Sequence, residues 1–243
     1  CKSLKIDRSQ LFIKEEKKGK FYYTKLQKAR RSNSDLLPEI LSKVIRGFPW
    51  PKSMRWGSGS FKWVRPLHSI VCILSDDTES KILPLEFNGT KSSNVSIGHR
   101  VMAPETFLVK SFEDYQEKLR HRFVILDRSV RREKILNDSN NIAFALGLEL
   151  VEDKNLLDEV VGLVEWPVVL AGKIDEIFLT LPSKVLQVSM REHQKFFSLK
   201  DKDTNIINSF IVVANIVSID NGESIIEGYE RVLRARLSDA RFF

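Results

Sequence analysis

A chain of 243 residues, 42% hydrophobic and 29% charged, is long enough for one large or two modest globular domains with their own cores, which excludes disorder as its main state. No apolar run reaches bilayer-spanning length, the opening CKSLKIDRSQ lacks the apolar stretch and cleavage site of a signal peptide, and Cys1 and Cys72 are too few for a disulfide framework. The net charge of +7 points toward an anionic partner, although a solvated lysine-rich surface gives a similar total.

No Cys or His lies at zinc-ligand spacing from another, so the simplest expectation is a cytosolic, metal-free protein. The chain opens on Cys and closes on RVLRARLSDARFF with no Gly, Pro or polar stop after it, which reads as a piece of a longer protein.

In chain order, QLFIKEEKKGKFYYTKL predicts two short strands around a charged Lys-Gly turn, a hairpin. SNSDLLPEILSKVIRGFPWP follows, with Ser34 or Asp35 as the expected cap. Its apolar residues Leu37, Ile40, Leu41, Val44 and Ile45 recur at helical spacing, and Gly47 then Pro49 stop it. From Phe61 to about Val109 the texture turns to β-branched runs, HSIVCIL and KILPLEFNGT, divided by turn formers such as SDDTES. KSSNVSIG reads as a surface loop. SFEDYQEKLRHRF returns to helical spacing, FVILD predicts a short strand, and a longer helix covers Arg128 to Leu146 and ends at Gly147. NLLDEVVGLVE then WPVVLAGKI, LPSKVLQVSMREH then KFFSL, and SFIVVANI then the closing helix each pair helix with strand, with KDKDTNIIN as a loop. The expected class is α+β, a mixed sheet with packed helices, with no fixed-period repeat.

Catalytic signatures are few. GSGS, residues 57–60, has neither the lysine of a phosphate loop nor a GxGxxG continuation and reads as a flexible turn. His68, His99, His121 and His193 are scattered, and no triad assembles from spacing.

Three basic clusters stand out. MRWGSGSFKWVRPLHS interleaves Arg55, Lys62 and Arg65 with Trp56, Phe61 and Trp63, the mixture a single-stranded RNA end uses for phosphate contact and base stacking. An aromatic core rim has the same composition. SIGHR puts His99 and Arg100 after Gly98, where bare backbone lets a phosphate approach, and a turn glycine beside a solvated Arg fits equally. In the closing helix Ile226, Tyr229, Leu233, Leu237 and Ala240 form an apolar stripe, flanked by Arg231, Arg234 and Arg241 on one side and Arg236 on the other. Those arginines fit phosphate contacts, or neutralisation of Glu230 and Asp239 with stems covering apolar surface. SMREHQKFFSL adds Arg191, His193, Gln194 and Lys195 at the junction of a helix with a buried strand.

PKSMRWG, FKWVRPLHS, GHR, SMREHQKFFSL, VVAN and GYERVLRARLSDARFF occur in this order from about Leu36 to Phe243, and in that order the chain resembles the beta subunit of the bacterial two-subunit glycyl-tRNA synthetase. Tyr229, Phe197 and Ser69 stand where that family's pattern has Asn, Tyr and Trp. The resemblance implies an N-terminal fragment of a heterotetramer subunit, with fold kinship to the editing-type domain of the phenylalanyl-tRNA synthetase beta chain. It would divide into a hairpin and helix over 1–50, a sheet core over 51–220 and the start of a connecting helix over 221–243, the helical and anticodon-binding regions lying beyond Phe243. It also implies ATP and glycine sites on the separate alpha subunit, no cofactor in this piece, and the alpha subunit and the tRNA for glycine as partners.

Two functional classes follow. In one the piece is a non-catalytic tRNA-docking and assembly module with candidate contacts at Arg55, Arg65, His99, Arg100, Arg191, His193, Gln194, Lys195, Arg231, Arg234 and Arg236. In the other it edits mischarged tRNA, with His193 or His99 orienting water and Glu192 or Gln194 positioning it. Pure scaffolding is the remaining alternative.

Overall fold

The computed structural model describes residues 11–16, 19–24, 31–76 and 79–242. The chain divides into two compact units, residues 1–66 and 67–243.

In the first unit β1 (Leu11–Glu16) and β2 (Gly19–Thr24) pair antiparallel from Leu11↔Thr24 to Glu16↔Gly19, the expected hairpin. Helix α1 (Asn33–Arg46) starts two to three residues earlier than its predicted caps imply. Ser32 is the cap, its hydroxyl accepting from the Asp35 N–H, so Ser34 and Asp35 lie inside the first turn. Gly47 ends the helix, and a Met54↔Trp63 bridge closes the GSGS loop behind it.

The second unit opens with short strands: β3 (Ile70–Val71), β4 (Ile73–Ser75), β5 (Ser80–Ile82), β6 (Glu86–Phe87), β7 (Thr90–Ser93), β8 (Val95–Ile97) and β9 (Thr106–Leu108). The sequence KSSNVSIG therefore supplies strand rather than loop. Thr90–Ser93 pairs with β3 in parallel and with β6 antiparallel, and Val95–Ile97 pairs with β9. FVILD forms no strand: Phe123 sits in the left-handed region at φ 58°, and the next N–H groups donate to Leu119 and Glu165 carbonyls rather than to a ladder. The two helices around it, α2 (Phe112–Arg120) and α3 (Arg128–Ala145), are where the apolar spacing puts them.

The rest is one four-stranded antiparallel sheet in the order β10 (Leu148–Leu150), β12 (Phe197–Asp201), β13 (Ile207–Ala214), β11 (Val168–Lys173). The mixed character of the fold thus rests on the small β3–β7–β6 sheet. One face of the large sheet packs on α3 and α4 (Lys154–Val161) through Ile135, Leu157, Val161, Phe197, Leu199 and Ile211. The other packs on α5 (Ser183–Ser189) and α6 (Glu223–Phe242) through Leu186, Phe196, Phe210, Val212, Leu233 and Leu237. Because both faces are covered, the last five residues of β13 read as an unbroken apolar run, FIVVA, without polar alternation. No helix among the described residues is long and apolar enough to cross a membrane.

Candidate nucleic-acid interface

The segment SMREHQKFFSL is a junction. After α5 the chain widens into a π turn over Met190–Gln194, and Lys195 closes it in the left-handed conformation at φ 59°. The Met190 carbonyl accepts from the Lys195 and Phe196 N–H groups, so Met190 and Phe196 are both buried on the α6 side of the sheet while Phe197 turns to the α4 side.

Its two outer cations are held on α4. Arg191 Nε donates to Asp153 Oδ2 at 2.6 Å, and its guanidinium also bonds Glu192. Lys195 Nζ lies 3.0 Å from Glu159 Oε1. Burial pushes the Asp153 carboxyl up, but the Leu156 N–H it caps and the Arg191 guanidinium outweigh that and hold it below the ordinary aspartate range. The Asp153 contact, with Glu192 behind it, raises the Arg191 guanidinium above its usual value. His193 is exposed, and Gln194 is half-buried.

Gln194 and Lys195, Asn215, and Gly228 and Tyr229 of α6 line a cleft of about 660 Å³. A second cleft, about 840 Å³, is lined by His99, Arg100, Arg131 and Glu165 and again by Asn215. The Asn215 side-chain oxygen accepts from the Glu165 and Trp166 N–H groups at 2.7 and 2.9 Å, which fixes this residue where it lines both clefts. Asn215 was not among the predicted site residues. Its one sequence signal was a lone amide ending the apolar run VVAN, a place where a polar side chain is used only with partners.

GHR is built for packing. A Cβ on Gly98 would stand 2.5 Å from the Arg122 Cβ and 2.7 Å from the Ala103 carbonyl, so its missing side chain admits protein backbone. His99 is 3% exposed, its Nδ1 accepts from the Val101 and Met102 N–H groups, and its buried Nε2 has no protein partner. Arg100 is exposed.

On α6, Leu233 and Leu237 are buried, with Ile226 and Tyr229 packed beside them, as the apolar stripe predicts. The flanking charges pair differently from expectation. Arg234 reaches Asp175 at 2.7 Å, while Glu230 accepts the Lys173 N–H on the edge of β11 instead of being neutralised by an arginine. Arg231 and Arg236 are exposed. In the first unit Arg55 and Arg65 are exposed beside a chain of ring contacts running Trp56, Phe61, Trp63, Trp50 and Phe48. Among the described residues, no carboxylate pairs with Arg55, Arg65, Arg100, Arg231 or Arg236.

The family model described as glycyl-tRNA synthetase beta subunit matches residues 1–243. The chain belongs to the glycyl-tRNA synthetase beta subunit family. The glycine–tRNA ligase beta subunit of Paracoccus denitrificans (strain Pd 1222) is 51% identical over 242 residues, covering 100% of this chain and 35% of that protein. That of Ruegeria sp. (strain TM1040) is 52% identical over 238 residues, covering 98% of this chain and 35% of its own length. The chain thus spans about a third of the length of these relatives. Three of the motifs that carried the resemblance to this family, SMREHQKFFSL, VVAN and the start of GYERVLRARLSDARFF, meet at the 660 Å³ cleft.

Proposed function

We propose that this chain is the tRNA-docking and subunit-assembly part of a glycine–tRNA ligase beta subunit. The whole enzyme attaches glycine to its tRNA with ATP, the alpha subunit holding ATP and glycine, and this part supplies no catalytic group. The observation that carries the docking role is the division among its cations. Arg191, Lys195 and Arg234 are engaged by Asp153, Glu159 and Asp175, whereas Arg100, Arg231 and Arg236 of the same unit are exposed without a carboxylate among the described residues. Exposed unpaired cations are free to neutralise phosphates, and a contact set of this kind positions a nucleic acid without reading its bases.

Three of the groups nominated for hydrolytic editing support this assignment by their positions, Gln194 being the one that lines the 660 Å³ cleft. The buried His99 has its Nδ1 taken by two backbone donors, Glu192 is bonded to Arg191, and His193 does not line the cleft that Gln194 does. Fold kinship with the editing-type domain of the phenylalanyl-tRNA synthetase beta chain is part of the same proposal, and superposition of the sheet and its two helical layers on that domain tests it.

The functional test uses the full alpha–beta enzyme with Arg100, Arg231 and Arg236 each changed to Gln. Each substitution should weaken binding of tRNA by a similar factor whatever its sequence, and reduce the salt slope of log affinity by about one unit per lost contact. A triple variant with unchanged tRNA affinity, salt slope and aminoacylation would leave the chain as scaffold.

A further inference from the structure

We propose that the first unit carries a stacking site for unpaired nucleotides, centred on the ring of Phe48, with Lys52, Arg55, Lys62 and Arg65 on the segment that follows it in the chain. The proposal rests on the reading of the protein as a tRNA-binding subunit and specifies what part of a nucleic acid this unit takes: a single-stranded segment.

The local sequence builds a rigid aromatic platform. Phe48 follows the Gly47 terminus of α1 in GFPWP, where Pro49 and Pro51 lock the backbone on both sides of Trp50. The Trp50 N–H donates to the Phe48 carbonyl at 2.9 Å, tightening the turn further. The Phe48 ring lies 4.7 Å from Trp50 and 5.9 Å from Trp63, and Trp63 stacks in turn on Phe61 at 5.9 Å and 17°. Phe61 is buried, yet Phe48 at the end of this series is 49% exposed. The rings behind it hold it in place while half of it stays open to solvent, an arrangement with little conformational freedom to lose on stacking.

Charge selects the occupant. From Ile40 to Pro66 the chain holds Lys43, Arg46, Lys52, Arg55, Lys62 and Arg65 and no Asp or Glu. Lys52, Arg55, Lys62 and Arg65 are exposed and without a carboxylate among the described residues. A protein partner that covers an apolar patch does not require an acid-free stretch carrying four exposed cations. A flexible phosphate backbone whose bases splay onto an aromatic face uses both features, and is tolerant of base identity because every base has a π-face. A duplex would meet the cations but keep its bases stacked within itself, leaving Phe48 without a role.

The experiment measures binding of a fluorescent oligouridylate octamer, a blunt RNA duplex and tRNA to the full alpha–beta enzyme. Phe48→Ala should weaken octamer binding between about fivefold and a hundredfold, in line with the loss of one base–aromatic stack, and weaken tRNA in the same direction. Phe48→Trp should restore both, and duplex affinity should not change. Arg55→Gln with Arg65→Gln should lower the salt slope for the octamer by about one to two units. Because Phe48 is half exposed, circular dichroism and the alpha–beta stoichiometry of each variant are expected to match those of the wild type. Octamer binding unchanged in Phe48→Ala overturns the proposal, as does an equal loss for duplex and octamer. A loosened alpha–beta complex with octamer binding intact overturns it too, and assigns the ring to a protein interface. These outcomes are independent of Arg100, Arg231 and Arg236: loss of tRNA binding in the triple variant together with an inert Phe48 keeps the docking role and removes only the stacking site.

Discussion

Gly172 on β11 faces Phe210 on β13, and a Cβ there would stand 2.4 Å from the edge of the phenylalanine ring. That ring is stacked on Phe196 at 4.8 Å and 11°, and Phe196 carries Tyr229 edge-on at 5.4 Å. One absent side chain therefore allows three aromatic rings to pack between the sheet and α6. Gly172→Ala should destabilise the protein by about 1–3 kcal/mol through overpacking. Urea denaturation measures it, and Phe210→Leu in the same chain should recover part of the loss because the smaller side chain vacates the site. The same scale explains why the basic residues of SMREHQKFFSL could not be sorted from the sequence. Arg191 and Lys195 look like Arg231 and Arg236 until their carboxylate partners, Asp153 and Glu159, arrive from 38 and 36 positions away.

At the scale of the element, α6 begins on a carboxylate. Asp220 accepts from the Gly222 N–H at 3.0 Å and the Ser224 N–H at 2.9 Å and bonds the Ser218 hydroxyl. The Ser218 bond first, then those from Ser224 and Gly222, holds its pKa well below the ordinary carboxylate range. Its folded pKa being depressed, the stability it contributes is fully present above the unfolded pKa of about 4 and is lost as pH falls below that toward the folded value. The stability gap between wild type and Asp220→Asn should thus be widest at neutral pH and close in acid; a gap that stays constant with pH would contradict this capping role. Elements of this length were legible because their signals are local. Helices α3 and α6 repeat apolar residues over several turns, and Gly147 marks the end of one of them. HSIVCIL and KILPLEFNGT also read as strand runs and hold β3 to β6, but two short elements were not legible. Leu148–Leu150 is three residues at the sheet edge, and its pairing with β12 at Leu150↔Leu199 is a long-range contact with no periodicity to announce it. Ser92 and Ser93 look like loop formers, yet the Ser92 hydroxyl donates to the Leu83 carbonyl and accepts the Leu85 N–H, taking up polar groups beside the ladder.

Over the second unit as a whole, two apolar cores share one sheet. Leu157 lies in the core on the α4 side and Leu237 in the core on the α6 side, and both are buried. With β13 contributing Ile211 to one and Phe210 and Val212 to the other, neither core has a sheet of its own to retain if the other opens. Leu157→Ala and Leu237→Ala should each cost about 2–5 kcal/mol and move the same cooperative transition. Two separated transitions in either variant would show that the layers unfold independently. Neither residue is itself one of the nominated tRNA contacts, so tRNA affinity per folded molecule should be preserved while folding suffers. The candidate interface, by contrast, was legible only as a list of cation types. The cleft that brings Gln194, Lys195, Asn215 and Tyr229 together forms where three segments distant in sequence converge, and no spacing rule relates residues 194, 215 and 229.

The π turn at Met190–Gln194 also restricts how this protein can change in length. It inserts one residue more per turn than an α-helix would, and that residue sets whether Phe196 or Phe197 points to a given face of the sheet. Removing one residue between Met190 and Phe196 would rewind the turn and exchange the two faces of β12, moving Leu199 and Phe197 out of one core and into the other. Insertions and deletions accumulated by relatives should therefore avoid this stretch. They should collect in the exposed Lys202–Asn205 turn at the far end of the same strand, where an added residue changes neither face.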